Sequence, residues 1–203
     1  MRSLLAITFL SIAGPVVADN AVLSIARSYA DGGGYNRTWA GSGTPEAVTH
    51  DGRQVLAEGT GGTYCCGYTF AVAMQAAERR GLLDGRSFDD VKRFQKLWYG
   101  ATDADDDTLV VLAAETLGIG EGVALDDARP GDFVQLWRTG GSGHSVVFLD
   151  WLEEDGRRVG FRYRSSQGST DGIGDATERF SDAGGRVLRD RTHAARLHEA
   201  PTR

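Results

Sequence analysis

Apolar residues recur along this chain with two periods, and the switch between them divides it. Up to about residue 117 they return every three or four positions, as on one face of a helix. "NAVLSIARSYA" (20–30) reads as a short amphipathic helix with Asn20 as its cap. "TYCCGYTFAVAMQAAERRG" (63–81) predicts the main helix, stopping at Gly81 with Arg79 and Arg80 in its last turn, where cations meet unpaired carbonyls. Ser87 caps a third helix carrying Phe88, Val91, Phe94, Leu97 and Trp98, and a fourth spans roughly 107–117 with Leu109, Leu112 and Leu117 ahead of Gly118.

From Pro130 the texture becomes strand-like. "PGDFVQLWR", "GHSVVFLDWL" and "RRVGFRYRSS" are separated by "TGGSG" and "EEDG" turns, and one or two final strands fall in 186–197. "AVTHDGRQVLAEGTGG" predicts a hairpin around His50, Asp51 and Gly52. "DGGGYNRTWAGSGTP" and "GSTDGIGD" read as loops, the second a flexible one able to rim a cleft. Helices followed by an antiparallel meander predict an α+β fold, with N-terminal helices packed on an antiparallel sheet.

Composition adds a compartment. "MRSLLAITFLSIAGPVVADN" has a charged start at Arg2, an apolar run and a small-residue site ending at Ala18, the pattern of an export leader over residues 1–18. The apolar run is too short to span a bilayer, so an exported, periplasmic or extracellular protein without stable membrane insertion is expected. Residues 19–203 carry no repeat, linker or low-complexity tract and read as a single domain. The formal net charge of −6 becomes −7 once Arg2 leaves with the leader, which argues against a nucleic-acid partner. The Gly, Ala, Asp and Arg bias is that of a bacterial chain from a G+C-rich genome, where the "NRT" acceptor at Asn36 is incidental.

The two cysteines, Cys65 and Cys66, are adjacent. Their Cα atoms lie ~3.8 Å apart, below the ~4.4–6.8 Å of a relaxed disulfide. No second cysteine pair or nearby histidine completes a metal site, so neither metal nor cofactor is expected. As structural residues they would be small buried hydrophobes. As chemistry, a thiol at a helix start is acidified by free amides and the helix dipole. Of the four histidines, His144 opens an apolar strand just after a glycine turn, where a rigid sheet end presents it to a helix start. A helical wheel sets Gln75, Glu78 and Arg79 on the wet side and Cys66, Phe70, Ala73 and Ala77 opposite, which favours Cys66 as nucleophile and leaves Cys65 as the alternative.

These residues resemble the papain-like cysteine peptidases and amidases of bacterial cell walls, the NlpC-type and CHAP domains. "NAVLSIARSYADGGGYNRTWAGSG" is similar to their opening helix and aromatic loop, "YCCGYTFAVAMQAA" to their nucleophile helix, "RPGDFVQLWRTGGSGHSVVFLDW" to their PGD strand, glycine turn and histidine strand, and "RTHAARL" to a closing strand. The resemblance covers four islands between residues 20 and 197. It implies a papain-like thiol hydrolase with His144 as base, a third polar residue orienting its ring, and a peptidoglycan peptide amide as substrate. Three departures stand out. The family's DCSG register, anchored on Gly67, assigns Cys65. Tyr64 replaces the acid before the nucleophile. The strand after the histidine strand offers no His, Asn or Asp, leaving Ser165 or Gln167 to steady the imidazole. Tyr35 and Tyr64, in glycine-rich loops, are the substrate-binding candidates. The competing expectation is a non-catalytic wall-binding module of the same fold, and a third is an effector or acyltransferase using the same dyad. Acidic "DADDDT" (103–108) lacks the glycine and final acid of a calcium loop and reads as a solvated turn. Trp98, Trp137 and Trp151 read as core rather than groove.

Overall fold

The computed structural model describes residues 20–104 and 107–200; the expected leader, and residues 105–106 of the acidic turn, lie outside them. Helix α1 (Ala21–Ser28) begins where the Asn20 side chain accepts the Leu23 amide proton. After a two-residue strand β1 (Gly32–Gly33), strands β2 (Val48–His50) and β3 (Arg53–Leu56) form the expected hairpin. Its two-residue turn takes φ of 48° at Asp51 and 71° at Gly52, the primed geometry that matches strand twist. Helix α2 (Cys65–Arg79) is followed by α3 (Phe88–Trp98), whose start is closed by reciprocal bonds between Ser87 and Asp90. Helix α4 (Val110–Leu117) ends on Gly118 at φ 70°.

Six further strands follow: β4 (Gly120–Val123), β5 (Phe133–Arg138), β6 (Gly143–Glu154), β7 (Arg157–Gln167), β8 (Gly172–Arg179) and β9 (Val187–Leu197). With β1 they make one seven-stranded sheet in the order β1-β8-β7-β6-β5-β9-β4, antiparallel at every junction. The architecture is therefore α+β. Strand alternation gives the sheet two apolar faces. Phe133, Val147 and Ala195 pack with Phe70, Phe94 and Trp98 on the helical side. Val134, Val146, Phe148, Phe161, Tyr163 and Phe180 form a second cluster on the other. No helix among the described residues is long and apolar enough to cross a membrane.

The stretch read as a flexible loop after Gln167 is ordered differently. A single 3₁₀ turn, Gly168–Thr170, leads directly into β8, which pairs with β7 along its whole length. At the far edge Gly172 faces Gly33 of β1 at φ 116°, and a Cβ there would meet the Gly32 carbonyl oxygen at 2.1 Å. Pairing this close requires bare backbone, so the edge shows no alternation for a sequence reading to find.

Candidate active site

Cys65 is the first residue of α2, and three attachments fix its place. The loop ahead of it is tied to the helix by the Tyr64 amide, which donates to the Gly43 carbonyl at 3.2 Å. Gly67 allows this approach, since a Cβ there would fall 2.2 Å from the same oxygen. One turn along, Thr69 joins helix to sheet. Its hydroxyl donates to the Cys65 carbonyl at 2.9 Å, accepts the Trp98 indole N–H at 3.1 Å, and meets the Ser145 hydroxyl at 3.1 Å. Thr63 and Ser166, 2.8 Å apart, tie the approach to β7.

The Cys65 side chain, 5% exposed, faces the start of the histidine strand. Its thiol is held well below the ordinary thiol range by a hydrogen bond from Cys66. Burial opposes that shift, while the charge and N–H of the His144 imidazole and the backbone amide of Ser145 reinforce it. Cys66 shifts the other way: its bond to Cys65 and its burial push it well above that range. The preference for Cys66 as the residue facing His144 is thereby corrected. Helix α2 is buried nearly all round, with Tyr68, Thr69, Phe70, Ala71, Val72 and Ala73 all sealed, so a single wheel cannot tell its sheet side from its helix side. The stripe through Cys66 and Phe70 meets α3, where Phe70 stacks on Phe94 and Tyr99; the stripe through Cys65 and Thr69 meets the sheet.

His144 is the second residue of β6 and 5% exposed. Its Nε2 is buried without a hydrogen-bond partner. The ring stands edge-on to Tyr163, with centroids 5.5 Å apart. Tyr163 donates to Glu178 at 2.7 Å, and Glu178 also accepts from both Nε, at 2.7 Å, and Nη2 of Arg138. Burial pushes the Glu178 carboxyl up, but these bonds, the Arg138 charge and the nearby imidazole outweigh it and hold the group below its usual range. The sequence reading misses this acid because the loop reading of "GSTDGIGD" takes the start of β8, the strand that carries Glu178.

Neither expected orienting residue bonds to the imidazole. The Ser165 hydroxyl donates to the Ser145 carbonyl at 2.7 Å and so braces the strand. The Gln167 amide donates to Thr170 Oγ1 at 2.7 Å and to the Gly174 carbonyl at 3.2 Å. That second acceptor fixes the amide's orientation and leaves Gln167 Oε1 buried and unpartnered. His144 and Gln167 both line one cavity of about 440 Å³, shared with Tyr35, Trp39, Arg138 and Gly143.

Tyr35 lines this cavity as expected of a groove residue, and its phenol is raised by burial and by the charge of both thiols. Tyr64 does not: it is buried, donates to the Gly41 carbonyl at 2.6 Å, and backs the ring of Trp39. Of the tryptophans, Trp98 is fully buried, Trp151 joins the second core, and Trp137 donates to the Asp107 carbonyl at 2.9 Å. No family model matches the chain, and no curated protein or solved structure matches it.

Proposed function

We propose that this chain is an exported thiol hydrolase of papain-like, NlpC-type architecture that cleaves an amide bond in peptidoglycan peptides. One observation carries the reading: a helix-start thiol, Cys65, acidified by its contact with Cys66 and by the His144 imidazole on the facing strand. Cys65 attacks the amide carbonyl carbon, and electrons move to the carbonyl oxygen. The proton held by His144 passes to the leaving nitrogen, the C–N bond breaks, and an acyl thioester remains. Water then gives a proton to His144 and its hydroxyl to the acyl carbon, which releases the acid and the Cys65 thiolate. The first amides of α2 have no side-chain cap, and Tyr35 lines the same cavity as His144; both are suited to the developing oxyanion.

The test is release of new amino groups from purified muropeptides. The parent chain is expected to release them, whereas Cys65→Ala and His144→Ala, each shown folded by circular dichroism, release none. Full activity in either variant would sink the assignment.

A second reading is an accessory module of the same fold that binds wall without cutting it. The unpaired His144 Nε2 favours it, because a base whose ring nothing orients is a poor catalyst. Sedimentation with purified peptidoglycan by a protein that releases no amines is the outcome that selects this alternative.

A further inference from the structure

Behind the His144 ring, whose Nε2 has no hydrogen-bond partner among the described residues, stands a built polar cluster. Arg138 of β5, Tyr163 of β7 and Glu178 of β8 meet beside the second core. Arg138 and Glu178 pair at two points, through Nε at 2.7 Å and through Nη2, and their side chains are only 16% and 18% exposed. The Tyr163 hydroxyl donates to the same carboxylate at 2.7 Å, so Oε1 takes the phenol and Nη2 while Oε2 takes Nε. A buried ion pair seldom repays its desolvation as a source of stability, so its place next to reacting groups calls for another reason.

Tyr163 supplies that reason. It stands edge-on to the imidazole, with 5.5 Å between centroids and 72° between planes, and its far side meets Phe161 at 6.0 Å. Tethered at its hydroxyl and packed on two rings, it is a wall against which the imidazole cannot turn. Burial first, and then the Glu178 charge, push the Tyr163 phenol far up, so it stays protonated and keeps donating. The ionisable groups around the imidazole are Cys65 from α2, Tyr163 from β7 and, in the shared cavity, Tyr35 and Arg138. Glu178 is the carboxylate whose ionisation the imidazole favours. Such a coupling is mutual: the carboxylate favours the imidazolium by the same amount.

We propose that Glu178 is the positioning residue of this site: it clamps the Tyr163 ring against the imidazole and supplies the negative charge that neither Ser165 nor Gln167 offers. It acts through Tyr163, while Arg138 keeps it ionised. The proposal deepens the hydrolase reading and rests on it for the step served, in which His144 holds the proton destined for the leaving nitrogen. Its test therefore reads the ring apart from cleavage. The proton content of His144 is followed by the nitrogen shifts of its imidazole in the parent chain and in variants shown folded by circular dichroism. At the pH where the parent is half protonated, Glu178→Gln is expected to hold about threefold less imidazolium, the scale of losing one nearby charge. Glu178→Asp keeps the charge and should restore most of it. Glu154→Gln removes an exposed carboxylate paired with Arg179, also on β8, and should change nothing. Should Glu178→Gln not fold, with Arg138 left unpaired, Arg138→Gln/Glu178→Gln removes both charges and carries the same expectation. A lowered Tm with unchanged imidazolium content, or an equal fall in Glu154→Gln, overturns the assignment. The expected fall together with no release of amines by the parent chain overturns the hydrolase reading and leaves Glu178 acting on the ring.

Discussion

Cys65→Ala is expected to lower muropeptide hydrolysis by on the order of 10⁴-fold or more, the scale of losing a nucleophile outright, whereas Cys66→Ser should leave most of the rate. The contrast follows from what each sulfur does. Cys65 faces His144 and Ser145; Cys66 donates a hydrogen bond to it from the α3 side. A serine hydroxyl preserves that donor, so Cys66→Ser should keep the Cys65 thiolate nearly as acidic. Cys66→Ala removes the donor and should leave a slower enzyme whose rate recovers as pH is raised. If Cys66→Ala instead matches Cys65→Ala in both rate and pH dependence, the division of roles between the thiols fails.

The second large effect is on stability, and it comes from Trp98. This side chain is fully buried, stacks edge-on with Phe133 at 5.1 Å and Phe94 at 5.2 Å, and donates to Thr69 at 3.1 Å. Trp98→Ala opens a cavity between the helices and the sheet and should cost about 3–5 kcal/mol, a fall in Tm on the order of 10 °C for a domain of this size. Trp98→Phe fills most of the space and removes only the N–H, so about 1–2 kcal/mol is expected. Because Thr69 also meets Ser145, next to the histidine, the alanine variant should slow Cys65 alkylation at temperatures where it remains folded. Thermal melts followed by circular dichroism, with alkylation rates measured below the transition, check both statements.

The elements with a strong period were legible in the sequence. The capped helices, the type I′ hairpin and the three long strands fall within a few residues of where hydrophobic spacing puts them, because each buries one side or both against the core. The pairing of Gly172 with Gly33 was not legible, since it depends on missing side chains. That omission hid β8 and with it Glu178, the acid behind Tyr163. Which of Cys65 and Cys66 faces the histidine strand was not legible for a related reason: a wheel detects a buried side only when another side is wet, and the first half of α2 is buried nearly all round. Trp39 passed for an ordinary loop residue because its exposure is fixed by Asn36 and Tyr64, through bonds that no spacing rule reports.

The most direct measurement is the pH dependence of iodoacetamide alkylation, with the labelled cysteine mapped by mass spectrometry. A free thiol ionises near pH 8.5, while the folded Cys65 thiol ionises well below the usual range. Between those two values the unfolded chain holds a proton that the folded chain does not, so stability from this group rises with pH across that window. It is complete above the ordinary thiol range and lost as pH falls through the depressed value. The label is therefore expected on Cys65, at a rate that is already high well below the pH at which a free thiol ionises. A label on Cys66, or a rate that climbs only near pH 8.5, would contradict the pairing of Cys65 with His144.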